Sequence, residues 1–362
     1  MTRAASAHWP RVFTPEPGCR PPSVEPRRNE RVLHVCLRVP GDPQAALARA
    51  LKSLTQPDGY WEVDWQAVKR EGGAVVDSCV KIARQIRPTL IFIQAQTPHV
   101  LSAYDVDTIR SHCAPDCVIV QWDGDQHYEP TDPKRAWFVD LGRACDASLI
   151  CNTRYPLDYA DMGVRCGYLQ IGVDADIWRP TTPDPKGPAV VLLASNYRHL
   201  QSYSRRVAAA RMLSVRFPSA FAAYGYGWEL DGEVNGRPFV KHEAEAPIYS
   251  KSLAAVSISI RADLPRYTSD RLFRCLASGA LTLVEAFPDM AGLGLRDGIN
   301  CLSWSTLGEL EALVKGIVEA PETRPHDDIR IRARDLAMTH TWAARMGELA
   351  AIVEAIREEG RL

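Results

Sequence analysis

The sequence predicts an α/β protein built from two doubly wound parallel sheets, and three observations predict it. Strand-like and helix-like patterns alternate regularly between residues 31 and 152. The run TTPDPKGP at 181–188, rich in proline, then interrupts that rhythm. From residue 189 the alternation begins again and continues to residue 320. With 362 residues, 46% of them hydrophobic and 24% charged, the chain is long enough to bury a core in each half.

Residues 1–29 carry Pro10, Pro15, Pro17, Pro21, Pro22 and Pro26 with little apolar periodicity, the composition of a flexible or draped tail. The first domain, expected over 30–172, then reads as strands at 31–39, 61–68, 89–96, 117–125 and 147–152. Helices are expected between them at 46–54, 75–86, 105–112 and 135–144. Ligands of such sheets bind beyond the carboxyl ends of the strands, which places Gly41, Gln96, Asp123, Asp125 and His127 on candidate binding loops. A linker is expected over 173–188 and a second domain over 189–335. Its strands read at 189–197, 221–229, 254–260, 281–286 and 294–304, its helices at 202–217, 247–253, 268–279 and 306–320. A final helix within 336–362 completes the chain.

The formal charge of -1 supplies no global field that would draw the protein to nucleic acid or an anionic membrane. Ten scattered cysteines, several within apolar strand-like runs, read as reduced thiols, and with no leader or long apolar span the expected location is cytoplasmic. His112, Cys113 and Cys117 lack a second ligand pair at matching spacing, so no metal is assigned to them.

The most informative stretch is TSDRLFRCLASGALTLVE at 268–285. Thr268, Ser269 and Asp270 are good helix N-caps, and Leu272, Phe273, Leu276 and Ala277 recur at helical spacing before Gly279. A helix N-terminus at a sheet edge, with Arg271 in its first turn, is a natural seat for phosphate. Its pattern S-x-R-x-F-x-x-x-A-x-G-A-x-x-L resembles the donor-binding helix of GT-B glycosyltransferases, especially the family-four-like and CgeB-like (spore-protein glycosyltransferase-like) groups. GVDADIWRP at 172–180 is similar to the segment that closes the first domain in that family, with Trp178 where phenylalanine is usual. Trp122 and Asp125 match a W-x-x-D pattern of the CgeB-like group, and His340-Thr341-Trp342 resembles the start of a carboxyl-terminal helix that crosses back to the first domain.

The resemblance implies a GT-B fold, two Rossmann-like domains with a cleft between them, and transfer of a sugar from a nucleotide-sugar donor to a hydroxyl acceptor. A UDP- or GDP-sugar is the expected donor, with no metal or other cofactor required. It would be held in the second domain by Ser195, Asn196, Tyr197, Arg205, Tyr224, Gly225, His242, Thr268, Ser269 and Glu285, with Arg271 facing the leaving diphosphate. The acceptor side would use Gly41, Gln96 and Asp123, with Asp125 or His127 removing the hydroxyl proton. Relatives carry two glutamates eight positions apart where this chain has Arg266 and Arg274. That departure keeps a catalytically silent binding protein as one alternative. The other is a DNA glycosyltransferase acting on a hydroxymethylated pyrimidine, which needs a basic rim such as Arg154, Arg198, Arg205 and Arg266 would give. Small molecules, glycans and a modified DNA base therefore remain as acceptors.

Overall fold

The structure is a computed structural model that describes residues 12–27, 29–38, 45–125, 133–180, 188–196, 204–321 and 324–360. In the first domain, strands β1 (Val12–Phe13), β2 (Glu30–Cys36), β3 (Thr55–Asp64), β4 (Leu90–Ile93), β5 (Val118–Asp123), β6 (Ala147–Ile150) and β7 (Cys166–Tyr168) form one sheet in the order β1-β7-β6-β5-β4-β2-β3. Every neighbouring pair is parallel. Helices α1 (Ala45–Lys52), α2 (Trp65–Arg70), α3 (Val75–Ile86), α4 (Ala103–Arg110), α5 (Pro133–Ala144) and α6 (Tyr155–Asp161) connect them. β4 and β5 are buried along their whole lengths, which is why LIFI and VIVQW read as continuous apolar runs instead of alternating.

The second domain has strands β8 (Val190–Leu193), β9 (Phe221–Tyr224), β10 (Gly236–Arg237), β11 (Ala254–Ser257), β12 (Leu281–Glu285) and β13 (Leu302–Trp304), ordered β10-β9-β8-β11-β12-β13 and again all parallel. Its helices are α7 (Ser204–Arg216), α8 (His242–Lys251), α9 (Asp270–Ala277), α10 (Leu307–Glu319) and α11 (Arg324–Met338). The last helix, α12 (Trp342–Glu359), leaves this domain: Trp342, Met346, Leu349, Ile352, Val353 and Ile356 share a core with Val32, Leu47, Leu90 and Trp122 of the first.

The chain crosses between the domains twice, and the crossings touch. Val173 N donates to the His340 carbonyl at 2.9 Å and bridges Thr341 in parallel. Gly172 permits this approach, because a Cβ there would lie 2.6 Å from the Trp342 nitrogen.

Three local expectations are sharpened or corrected. Of the two forms expected for the proline-rich segment, flexible or draped, residues 12–27 take the draped one. β1 joins the edge of the first sheet, the Glu16 carbonyl accepts from Arg266 Nη2 at 2.7 Å, Gly18 N donates to Asp289 Oδ1 at 2.8 Å, and Val24 N donates to the Gly347 carbonyl at 3.1 Å. Prolines bar that segment from the middle of a sheet but leave its other backbone groups for side chains to hold. Second, the strand expected at 61–68 stops at Asp64, whose carboxylate accepts from Gln66 N at 3.1 Å and caps α2. Third, α8 starts at His242 instead of 247, and α11 was not foreseen.

Candidate active site

The carboxyl ends of the second sheet and the N-terminus of α9 enclose a cavity of about 530 Å3, counting its open mouth. Its walls come from the ends of β8 and β9 (Leu193, Ala194, Ser195, Tyr224, Gly225), the start of α8 (His242, Glu245) and the first turns of α9 (Asp270, Arg271, Arg274). Gly225 has φ +145°, and a Cβ there would meet the Ala194 carbonyl oxygen at 2.3 Å, so only glycine lets these two strand ends lie together. Phe239 lines the lip and stacks on the exposed Tyr226 ring, with centroids 4.3 Å apart.

Ser269 occupies the N-cap position of α9, but its hydroxyl does not cap the helix; it accepts from Arg271 Nη1 at 3.0 Å. Arg271 Nε donates to the Leu193 carbonyl. Both acceptors are neutral, and among the described residues no carboxylate lies within ion-pair distance of Arg271. A half-buried guanidinium is thus fixed beside the N–H groups of a helix start, with no carboxylate among the described residues to neutralise it.

A second cavity, about 600 Å3 including its mouth, lies between the domains. The first domain contributes Gln96, Trp122, Gly124 and Asp125; the connecting segment Ile171, Gly172, Val173 and Trp178; the second domain Tyr267, Ser269, Asp270 and Arg274; and α12 adds Trp342. Asp123 and Asp125 have separate places here. Asp123 is buried and its Oδ1 accepts from Asp125 N at 2.8 Å, an Asx-turn that shapes the loop. Asp125 is exposed at the cavity wall.

Of the remaining expected site residues, Gly41, Tyr197 and His127 lie outside the described residues. Asn196 is buried, with Nδ2 donating to the Gly227 carbonyl at 3.4 Å, and Thr268 is buried with its hydroxyl donating to the Ser269 carbonyl. Arg205 and Glu285 meet each other: Nε lies 2.6 Å from Oε1, and the guanidinium covers the Trp304 ring at 5.4 Å. Neither lines either cavity. Burial raises the Glu285 carboxyl above its ordinary value, and Arg205 only partly offsets that. Arg266 is fully buried, pairing with Asp289 at 2.5 Å, and Arg154 pairs with Asp158 at 3.1 Å. The basic rim expected for a DNA substrate therefore loses Arg266 to the interior and has Arg205 and Arg154 already paired; Arg198 lies outside the described residues.

Sequence reasoning missed the network around Arg274. This side chain is buried; Nη1 donates to Glu245 Oε2 at 2.8 Å and lies 2.9 Å from His242 Nδ1, which is itself 3.1 Å from Glu245 Oε1, Nη2 donates to Asp270 Oδ2, and the guanidinium lies 4.6 Å from the Trp178 ring centroid. Burial alone would raise the Glu245 carboxyl, but Arg274 and His242 more than offset it and hold it below the ordinary carboxylate range. One cluster of possible metal ligands occurs among the described residues, His34, Cys36 and Glu62. Arg38 already pairs with Glu62 at 2.7 Å, and His34 Nδ1 is hydrogen-bonded to Tyr60 Oη at 2.9 Å, so the cluster reads as a polar network.

Solved structures resemble the whole arrangement. HepE from Anabaena in complex with UDP-glucose superposes with a TM-score of 0.64 at 13% identity, covering 90% of this chain and 100% of that one. Sucrose-phosphate synthase from Thermosynechococcus elongatus gives 0.62 at 11% identity over 91% of this chain and 100% of its own. A glycosyltransferase from Rickettsia africae gives 0.60 at 11%, with 90% and 98% covered. The fold is GT-B. Residues 201–351 also match the family model described as glycosyl transferase-like, a span that holds most of the second GT-B domain and part of α12. No curated protein matches the chain by sequence. Among the described residues no disulfide joins any of the ten cysteines, and no helix is long and apolar enough to cross a membrane.

Proposed function

We propose that this GT-B protein is a glycosyltransferase that moves a sugar from a nucleoside-diphosphate sugar to a hydroxyl acceptor. The observation that carries this reading is Arg271, a cation with only neutral partners in the first turn of a helix that opens onto a strand-end cavity. As the glycosidic bond breaks, the diphosphate leaving group gains negative charge; a fixed guanidinium and helix N–H groups stabilise that charge without reorganising. The glycosyl transferase-like match over residues 201–351 and the UDP-glucose bound by HepE support a nucleotide-sugar donor, and UDP or GDP both remain candidates. The base would lie towards the lip, where Phe239 and Tyr226 stack.

The acceptor enters from the first-domain side of the interdomain cavity. There Asp125 takes the hydroxyl proton as the oxygen attacks the anomeric carbon, while Asp123 holds the loop. Calorimetric titration with UDP and GDP tests the reading. Micromolar binding of one of them, weakened by Arg271→Ala, is expected; binding of neither removes the donor assignment.

A further inference from the structure

The donor cavity and the interdomain cavity share two lining residues, Asp270 and Arg274. Relatives of the kind this sequence resembles carry glutamate where Arg274 stands, and an arginine facing a sugar site suggests a ligand for an anionic sugar. The geometry argues otherwise. Arg274 already donates to Glu245 and Asp270, so two carboxylates of its own chain balance its single charge.

The network also holds its partners in place. His242 Nδ1 sits between Arg274 Nη1 at 2.9 Å, which can only donate, and Glu245 Oε1 at 3.1 Å, which can only accept, so the cluster engages this nitrogen and leaves Nε2 as the other polar atom of the ring. Nε2 has no hydrogen-bond partner among the described residues, and His242 lines the donor cavity. Asp270 receives Arg274 at one oxygen, yet its side chain stays 36% exposed and lines both cavities. A ring nitrogen and a carboxylate oxygen, both held by one buried cation, thus stand at the cavity wall.

We propose that the Arg274 cluster is the sugar-recognition centre of the donor site and selects an uncharged sugar. His242 Nε2 hydrogen-bonds to one sugar hydroxyl, the Asp270 carboxylate accepts from another, and Arg274 is the positioning residue for both. A hydroxyl can accept and donate, so it satisfies either partner. A sugar carboxylate would instead meet Asp270 and Glu245 with Arg274 already engaged, and like charges at short range in a partly desolvated site repel strongly. The proposal rests on the donor-site reading above.

The test compares affinities within one nucleotide series. UDP and GDP are titrated first, and failure of both overturns the donor reading and the proposal with it. For the nucleotide that binds, neutral sugar conjugates (UDP-glucose, UDP-galactose and UDP-N-acetylglucosamine, or GDP-mannose and GDP-fucose) are compared with the free diphosphate and with the corresponding uronic acid conjugates. At least one neutral conjugate is expected to bind more than about tenfold better than its uronate, the scale of one charge-assisted hydrogen bond. Asp270→Asn and His242→Ala should each cut the advantage of that neutral conjugate over the free diphosphate by about fivefold or more, the ratio of the two affinities being the readout whatever either variant does to the diphosphate itself. His242→Gln, at the cavity lip, serves if His242→Ala fails to fold. A uronate that binds as well as every neutral conjugate, or variants that leave the conjugate-to-diphosphate ratio unchanged, would overturn the proposal while leaving the diphosphate site in place.

Discussion

Arg274 and Glu245 form a 2.8 Å ion pair with both side chains more than nine-tenths buried, and it joins α9 to α8 in the wall of the strand-end cavity of the second domain. The acid and the cation are 29 residues apart in sequence, and Asp270 closes the group from the first turn of α9. Two departures from the resembled family, arginine at 274 and tryptophan at 178, also meet here as a stacked pair.

Restoring glutamate at position 274 should therefore damage the protein. Arg274→Glu would set a third carboxylate beside Glu245 and Asp270 and leave both without their cation. Breaking a buried pair in this way costs about 3–5 kcal/mol. Urea denaturation should show a loss of that order, and transfer activity should not rise. A variant as stable as wild type would mean the network does not hold α8 to α9. By the same argument Arg274→Ala perturbs the fold.

Much of the fold was legible in the sequence because its strands are short, apolar and separated by helical periods, as LIFI and VVLL show. The end of β3 was not, since WEVDWQAV keeps a strand-like alternation through Asp64 and only the cap reveals the turn into α2. α11 hides its core residues Ile329, Ala333, Leu336 and Ala337 among charges. In the candidate site, strand-end residues such as Ser195, Tyr224 and Gly225 follow from topology, as does the first turn of α9. Arg205 and Glu285 illustrate the limit: each is a reasonable ligand alone, and only folding brings them together to neutralise each other. Arg266 carries the same lesson, since a buried arginine binding the backbone of residues 16–18 through itself and Asp289 has no sequence signature.

Acid should weaken the α8–α9 junction. The folded Glu245 carboxyl lies below its ordinary value of 4.5, so its contribution to stability is complete above that pH and is lost as the pH falls through the depressed value. Glu30, buried but held low by Arg357 and Thr89, behaves in the same direction. Thermal unfolding followed from pH 7 to pH 3 should show a falling midpoint below about 4.5, and Glu245→Gln should flatten part of that slope. An unchanged slope in the variant would assign the acid sensitivity elsewhere.

Arg271→Ala should separate folding from chemistry. The side chain gives up hydrogen bonds to Leu193 and Ser269, both neutral partners, so the stability loss should stay near about 1 kcal/mol. Turnover should fall roughly ten- to a thousandfold, because a charge fixed beside the leaving diphosphate acts more on the transition state than on the bound donor. Sugar transfer or donor hydrolysis measures it. Wild-type turnover in a folded variant would remove Arg271 from the mechanism.

The two aspartates after β5 should respond differently to the same change. Asp123→Asn retains an Oδ1 that can accept from Asp125 N, so the Asx-turn persists and transfer should remain within about fivefold of wild type. Asp125→Asn keeps the shape of the cavity wall but removes the carboxylate that would take the acceptor proton. Loss of a positioned general base lowers rates by about 10^2- to 10^4-fold. Binding of the nucleoside diphosphate should not change, because Asp125 lines the interdomain cavity and not the donor cavity. Transfer rates for both variants, measured beside diphosphate affinity, decide between the roles. If Asp125→Asn transfers at the wild-type rate, the base is another group; if Asp123→Asn loses activity while Asp125→Asn keeps it, the assignments of turn and base are reversed.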